Sequence, residues 1–210
     1  MSKRPVKVLL VAEGEHERSG ALENLVRRLG GNDASFTARP ANDASVHGRR
    51  GEGTRMGGSA KRALAWLREA WKDYDALIYL IDDDEGEDKR KEQVREAQEF
   101  WKLDVPASHL PRAMGVAIKM FDAWMLADEK ALSDVLGCAV ARQHDPETVG
   151  QPKKVCGRLL ERGANQMAQR EMYAQIASRL DIDILTSRCP KGFKPFAERV
   201  RAVFDCEPAA

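Results

Sequence analysis

The chain has 210 residues, of which 43% are apolar and 32% charged, and its net charge is +1. That is enough apolar material for one domain, or one domain with a modest appendage. The mixed charge excludes a disordered acidic or basic tail and a uniformly basic scaffold, but leaves room for nucleic-acid binding through a local patch.

The cysteines Cys138, Cys156, Cys189 and Cys206 lie far apart, without a Cys-x-x-Cys pair, and the histidines are scattered. No zinc spacing results, and reduced thiols in a cytoplasmic protein are the expectation. The opening "MSKRPVKVLLVAEGEHE" has an apolar run too short for a signal peptide, ending in acids. No segment approaches the ~20 consecutive apolar residues of a membrane helix.

"VKVLLVA" (6–12) is an apolar, β-branched run, as expected of a strand buried on both faces. "RSGALENLVRRLG" follows, with Leu22, Leu25, Val26 and Leu29 at helical spacing and Gly30–Gly31 as its stop. "SFTARPA" reads as a short strand, and the Gly- and Arg-rich 42–59 as a loop. "AKRALAWLREAWKDY" predicts a helix burying Ala63, Leu64, Leu67 and Trp71; "DALIYLID" predicts a second buried strand. "GEDKRKEQVREAQEFWKL" predicts a charged helix, and "MGVAIKMFDAWMLAD" a strand running into a helix. Beyond it the chain reads as helical: "EKALSDVLG", "PKKVCGRLLERG", "REMYAQIASRL" and "FKPFAERVRAVF". Strands alternating with helices predict an α/β layer with a mostly parallel sheet, and a helical appendage from about Pro146.

Acids gather where strands end. The first strand leads into Glu13, Glu15 and Glu17, the second into Asp82, Asp83 and Asp84, and the third into Asp122. Parallel α/β sheets build their sites beyond these carboxyl ends. The two-residue strand period places Asp82 and Asp84 on one face and Asp83 on the other, so Asp82 and Asp84 can share a ligand with Glu13 if the strands are neighbours. Clustered carboxylates repel unless a proton or a cation intervenes. An all-oxygen set suits Mg²⁺ or Mn²⁺ and phosphodiester chemistry. Glu85, Glu87 and Asp88 are adequately explained as first-turn helix residues, and Asp128 reads as a helix-face residue or a cap, with a site role left open. Trp124, Phe193, Phe196, Val200 and Val203 have core spacing.

"VAEGEHE" and "LIDDD" resemble the conserved motifs of TOPRIM domains, found in topoisomerases, primases and overcoming-lysogenization-defect nucleases. The resemblance implies a TOPRIM-like α/β domain over 1–145 with a helical extension, 146–210, packed on it. It assigns Glu13, Asp82 and Asp84 to the metal and matches Glu17 to a second glutamate. "FDAWMLAD", "QPKKVCGRLL", "IASRLDIDIL" and "SRCPKGFKPFAERV" resemble later motifs of an uncharacterised TOPRIM-like bacterial family often encoded beside an ABC/AAA-type ATPase. That family commonly has Glu-x-Trp at Asp122–Ala123–Trp124, and a tyrosine–lysine pair that "NQMAQREMY" does not match.

Arg49, Arg50 and neighbouring basic residues lie among glycines, and Lys153 opens a helix after Pro152. Both are read as substrate-phosphate contacts. No P-loop or G-x-G-x-x-G pattern supports nucleotide binding. The family resemblance implies a bacterial defence system with an ATPase partner as the setting, and the expected function is a Mg²⁺-dependent nuclease or related phosphodiester-acting enzyme. In it Glu13, Asp82 and Asp84 hold metal, and Glu17 and Asp122 serve a second metal or act as general base. The alternative is a non-catalytic subunit that docks on the ATPase. A receiver- or phosphatase-type site is disfavoured, because Glu13 stands where the phosphoacceptor aspartate would lie.

Overall fold

A computed structural model describes residues 5–46, 58–83, 89–103, 109–165 and 167–205. The chain is an α/β fold around a four-stranded, all-parallel sheet in the order β2-β1-β3-β4. The strands are β1 (Lys7–Ala12), β2 (Ser35–Pro40), β3 (Ala76–Asp83) and β4 (Arg112–Ile118). The helices are α1 (Leu22–Val26), α2 (Gly58–Asp73), α3 (Lys89–Leu103), α4 (Phe121–Met125) and α5 (Glu129–Leu136). Then come α6 (Pro152–Arg162), α7 (Gln169–Arg179), α8 (Ile182–Arg188) and α9 (Phe193–Asp205).

Strand alternation sorts the core into two layers. Val8, Leu10, Ile78 and Leu80 face a cluster containing Leu22, Leu25, Trp124, Tyr173, Phe193 and Phe196. Leu9, Val11, Leu77, Tyr79 and Ile81 face the other, with Leu64, Leu67 and Val94 from α2 and α3. The central strands are therefore covered on both sides, which explains their unbroken apolar runs. Edge strand β2 is only partly buried. Close packing of α9 on β4 depends on Gly115, where an added Cβ would come within 2.5 Å of the Phe196 ring. Trp124 packs against Phe121, Phe193 and Phe196, at ring-centroid distances of 5.2–5.6 Å.

The helix expected over 18–30 is α1 flanked by π-type turns at Glu17–Ala21 and Arg27–Gly31. Gly20 and Gly30 break it, with φ of 107° and 122°, values that glycine adopts without a Cβ clash. Trp71 departs from the expected core face and is 43% exposed. It lies in the last turn of α2, just before the chain reverses into β3, where little protein remains to pack on. Trp66 is buried instead and donates its indole N–H to the Ala41 carbonyl at 3.0 Å. Asp128 is the N-cap of α5, accepting from the amides of Lys130 and Ala131. Among the described residues no helix is long and apolar enough to cross a membrane.

Candidate metal centre at the carboxyl ends of the strands

The strand order reverses between β1 and β3: the chain leaves β1 for β2 on one side and returns to β3 on the other. Such a reversal opens a crevice beyond the carboxyl ends of the two strands. Glu13 and Asp82 sit at that point. Glu13 Oε2 accepts from the Asp82 backbone N–H at 3.2 Å and pairs with the Arg90 guanidinium from α3. The Asp82 carboxylate engages the next connection, with Oδ1 accepting from the Phe121 amide at the start of α4 at 2.9 Å. One aspartate thus ties the end of β3 both to β1's glutamate and to the segment carrying Asp122.

Asp83 points to the α2–α3 layer, is 2% exposed, and leaves Oδ2 without a hydrogen-bond partner. Asp84, Arg49 and Arg50 lie outside the described residues.

A second acidic group lies beside the first. Glu17 is 5% exposed, and its carboxylate folds back over Gly14, so that a Cβ at Gly14 would stand 1.9 Å from Oε2. Only glycine leaves that carboxylate in place. Burial pushes the Glu17 carboxyl up to about 7, and the negative charges of Asp122 and Glu13 add to the effect. Asp122, also 5% exposed, accepts at Oδ1 from the Tyr173 hydroxyl, which in turn accepts from Gln169 Nε2 at 3.1 Å. The Tyr173 ring meets the His16 ring edge-on, with centroids 4.8 Å apart.

Burial is the main cause lowering the His16 pKa, with Lys153 contributing in the same direction against Asp122. Lys153 is therefore in electrostatic reach of this group, while its side chain remains exposed near the start of α6. Of the residues singled out in sequence, Glu13, Glu17, Asp82 and Asp122 come together, with Lys153 at the margin.

A family model, described as a domain of unknown function, DUF4276, matches residues 12–201. The chain belongs to the DUF4276 family. The DUF4276 match spans both acidic groups, from Glu13 to Tyr173, and the helices packed around them. No curated protein and no solved structure matches the chain.

Among the described residues no group of three or more His, Cys, Asp or Glu side chains is arranged to hold a metal ion. The described candidates for one ion are Glu13 and Asp82. The donor chemistry fits Mg²⁺ or Mn²⁺, which take one or two carboxylates and keep several waters. The negative charge there is partly offset already, because Arg90 pairs with Glu13 and burial pushes the Glu17 carboxyl up to about 7.

Arg90 reads in the sequence as an ordinary helix-start residue, and nothing in "EGEDKR" marks it as the partner of Glu13. Lys119, at the link between β4 and α4, also carries no mark in the sequence, yet its φ of 65° is the non-glycine exception among the described residues. Tyr173 ends the "NQMAQREMY" stretch but had no assigned partner. Tyr173→Phe is expected to destabilise the DUF4276 domain by about 1–3 kcal/mol, because the buried Asp122 carboxylate loses its donor. Urea unfolding measures this, and unchanged stability would show that Asp122 finds another donor.

Proposed function

We propose that the chain is a TOPRIM-like, Mg²⁺- or Mn²⁺-dependent nuclease. The observation that carries this reading is the meeting of Glu13 with the Asp82 backbone, at 3.2 Å, in the crevice where the strand order reverses. Glu13, Asp82 and Asp84 hold the ion. A bound divalent cation supplies charge for the scissile phosphate and eases deprotonation of water. Glu17, with a carboxyl near 7, holds and releases a proton in the range that general base catalysis at neutral pH requires. Asp122, fixed by Tyr173, stands beside it. Arg49, Arg50 and Lys153 take substrate phosphates. The cellular setting, by resemblance, is a cytoplasmic two-component bacterial defence system with an ABC/AAA-type ATPase.

One feature favours a second reading, a non-catalytic subunit docking on that ATPase. Arg90 already places a guanidinium on Glu13, where the nuclease reading puts the cation.

Plasmid and single-stranded DNA incubated with the protein and Mg²⁺ or Mn²⁺, with and without the ATPase, separate the two. Cation-dependent cleavage that EDTA and Asp82→Ala abolish is the expected result. Cleavage unchanged in Asp82→Ala overturns the site, and absence of cleavage under every condition favours the docking subunit.

A further inference from the structure

Away from the acids, a cavity of about 240 Å³ runs along the outer side of edge strand β4, between α3 and the start of α9. Its lining includes Lys91, Arg95, Lys191 and Arg199, and no aspartate or glutamate among the described lining residues. Four cations from three separate elements converge there, in a chain whose overall charge is only +1. A groove lined by cations on both walls is positive on balance and favours an anionic ligand.

The groove's construction is specific. The Pro111 carbonyl accepts from the Leu77 amide of β3, and strand alternation then turns the backbone groups of Met114 and Val116 outward, toward the cavity. Arg199 donates to the Met114 carbonyl at 3.0 Å, so an added β-strand finds that acceptor taken. Lys191 stands on a turn fixed by the buried Glu147, whose carboxylate accepts from the Lys191 and Gly192 amides at 2.9 and 2.7 Å. That carboxylate is turned into the backbone and spent on it. Arg95 pairs with Glu92, but this is an exposed i,i+3 contact that a stronger anion displaces.

The groove also has a direction. Gly192 packs on Ile118, the last residue of β4, with a position for Cβ only 3.0 Å from the Ile118 amide. Lys91 follows Arg90, the partner of Glu13. At this one end, marked by Lys91 and Lys191, the two walls of the basic lining therefore approach the carboxyl ends of the strands, where the acidic crevice lies.

We infer that the β4 edge groove binds the phosphodiester backbone of a nucleic-acid strand and leads it toward the acidic crevice. Among the described lining residues the charged groups are Lys and Arg side chains, so the contacts proposed are to phosphates. The proposal rests on the nuclease reading for its choice of polyanion, and binding tests it without catalysis.

The test is fluorescence anisotropy of a labelled single-stranded oligonucleotide with the full chain in EDTA, over a salt titration. The comparison is the double variant Arg95→Glu, Lys191→Glu. Both side chains are exposed, and circular dichroism checks the fold. The expected result is wild-type binding that weakens with salt and falls roughly tenfold or more in the variant, with a log–log salt slope shallower by about 1.4, as for two lost phosphate contacts on a single strand. Equal affinity and slope in the variant, or no wild-type binding, overturns the groove; so does equal binding of a polyglutamate probe, which assigns the groove to an acidic protein partner. Cation-dependent cleavage that survives the double variant with unchanged KM leaves the nuclease reading standing while the groove fails. Groove-dependent binding by a protein that never cleaves does the reverse.

Discussion

Asp82→Asn is expected to abolish cation-dependent cleavage while leaving the fold nearly as stable as wild type. The carboxylate has two roles that this substitution separates. Asn keeps a side-chain oxygen to accept from the Phe121 amide, so the junction of β3 with α4 survives. It loses the negative charge that a hard divalent cation requires. A bound cation contributes several kcal/mol of charge stabilisation in phosphoryl chemistry, which makes the loss on the order of a thousandfold in kcat/KM. Asp82→Ala removes both roles and is expected to cost a further ~1–3 kcal/mol of stability, because a buried amide loses its acceptor. Cleavage kinetics read the first effect and urea unfolding the second. Asn and Ala variants that lose activity and stability in parallel would make Asp82 a structural residue only.

Glu17→Gln is expected to remove a pH-dependent loss of stability. Burial raises the folded-state carboxyl from its ordinary 4.5 to about 7, while the unfolded chain keeps the ordinary value. Below the unfolded value both states are protonated and the full contribution to stability is present. Between the two values the folded state holds a proton that the unfolded state has released, so stability falls as pH rises. Above about 7 the carboxylate is buried in charged form and the contribution is gone, a loss of roughly 3 kcal/mol. Urea unfolding in EDTA should show the wild type losing about that much between ~pH 5 and ~pH 8, and the Gln variant lacking this component of the slope. Parallel pH profiles for the two proteins would mean that Glu17 ionises normally. The same proton supports the role assigned to Glu17 in catalysis, since a base that titrates near neutrality is available at working pH.

The central strands were legible because double-sided burial writes itself as an apolar run, as in "VKVLLVA" and "ALIYLI". The two-residue period also sent Asp83 to the opposite layer from Asp82, as the structure has it. Helix faces were read less well. Trp71 obeys the same spacing as Leu67 yet is exposed, because spacing does not reveal where a helix outruns its support. Within the acidic crevice, strand ends could be matched to acids, but not acids to their partners. Arg90 reaches Glu13 across 77 residues and Tyr173 reaches Asp122 across 51. Such pairings follow from how α3 and α7 dock on the sheet, which no local pattern encodes. The β4 groove was not legible as a unit for the same reason: its cations are contributed by α3, α9 and the turn before it, and only the fold brings them to one edge of the sheet.

The most direct test of the account is Mn²⁺ binding, followed by electron paramagnetic resonance of the ion and by calorimetry. Wild-type protein is expected to bind Mn²⁺ saturably and in competition with Mg²⁺, and the double variant Glu13→Gln, Asp82→Asn to leave the ion free in solution. Undiminished binding in the double variant, or no binding by the wild type, would contradict a metal centre at the junction of β1 and β3.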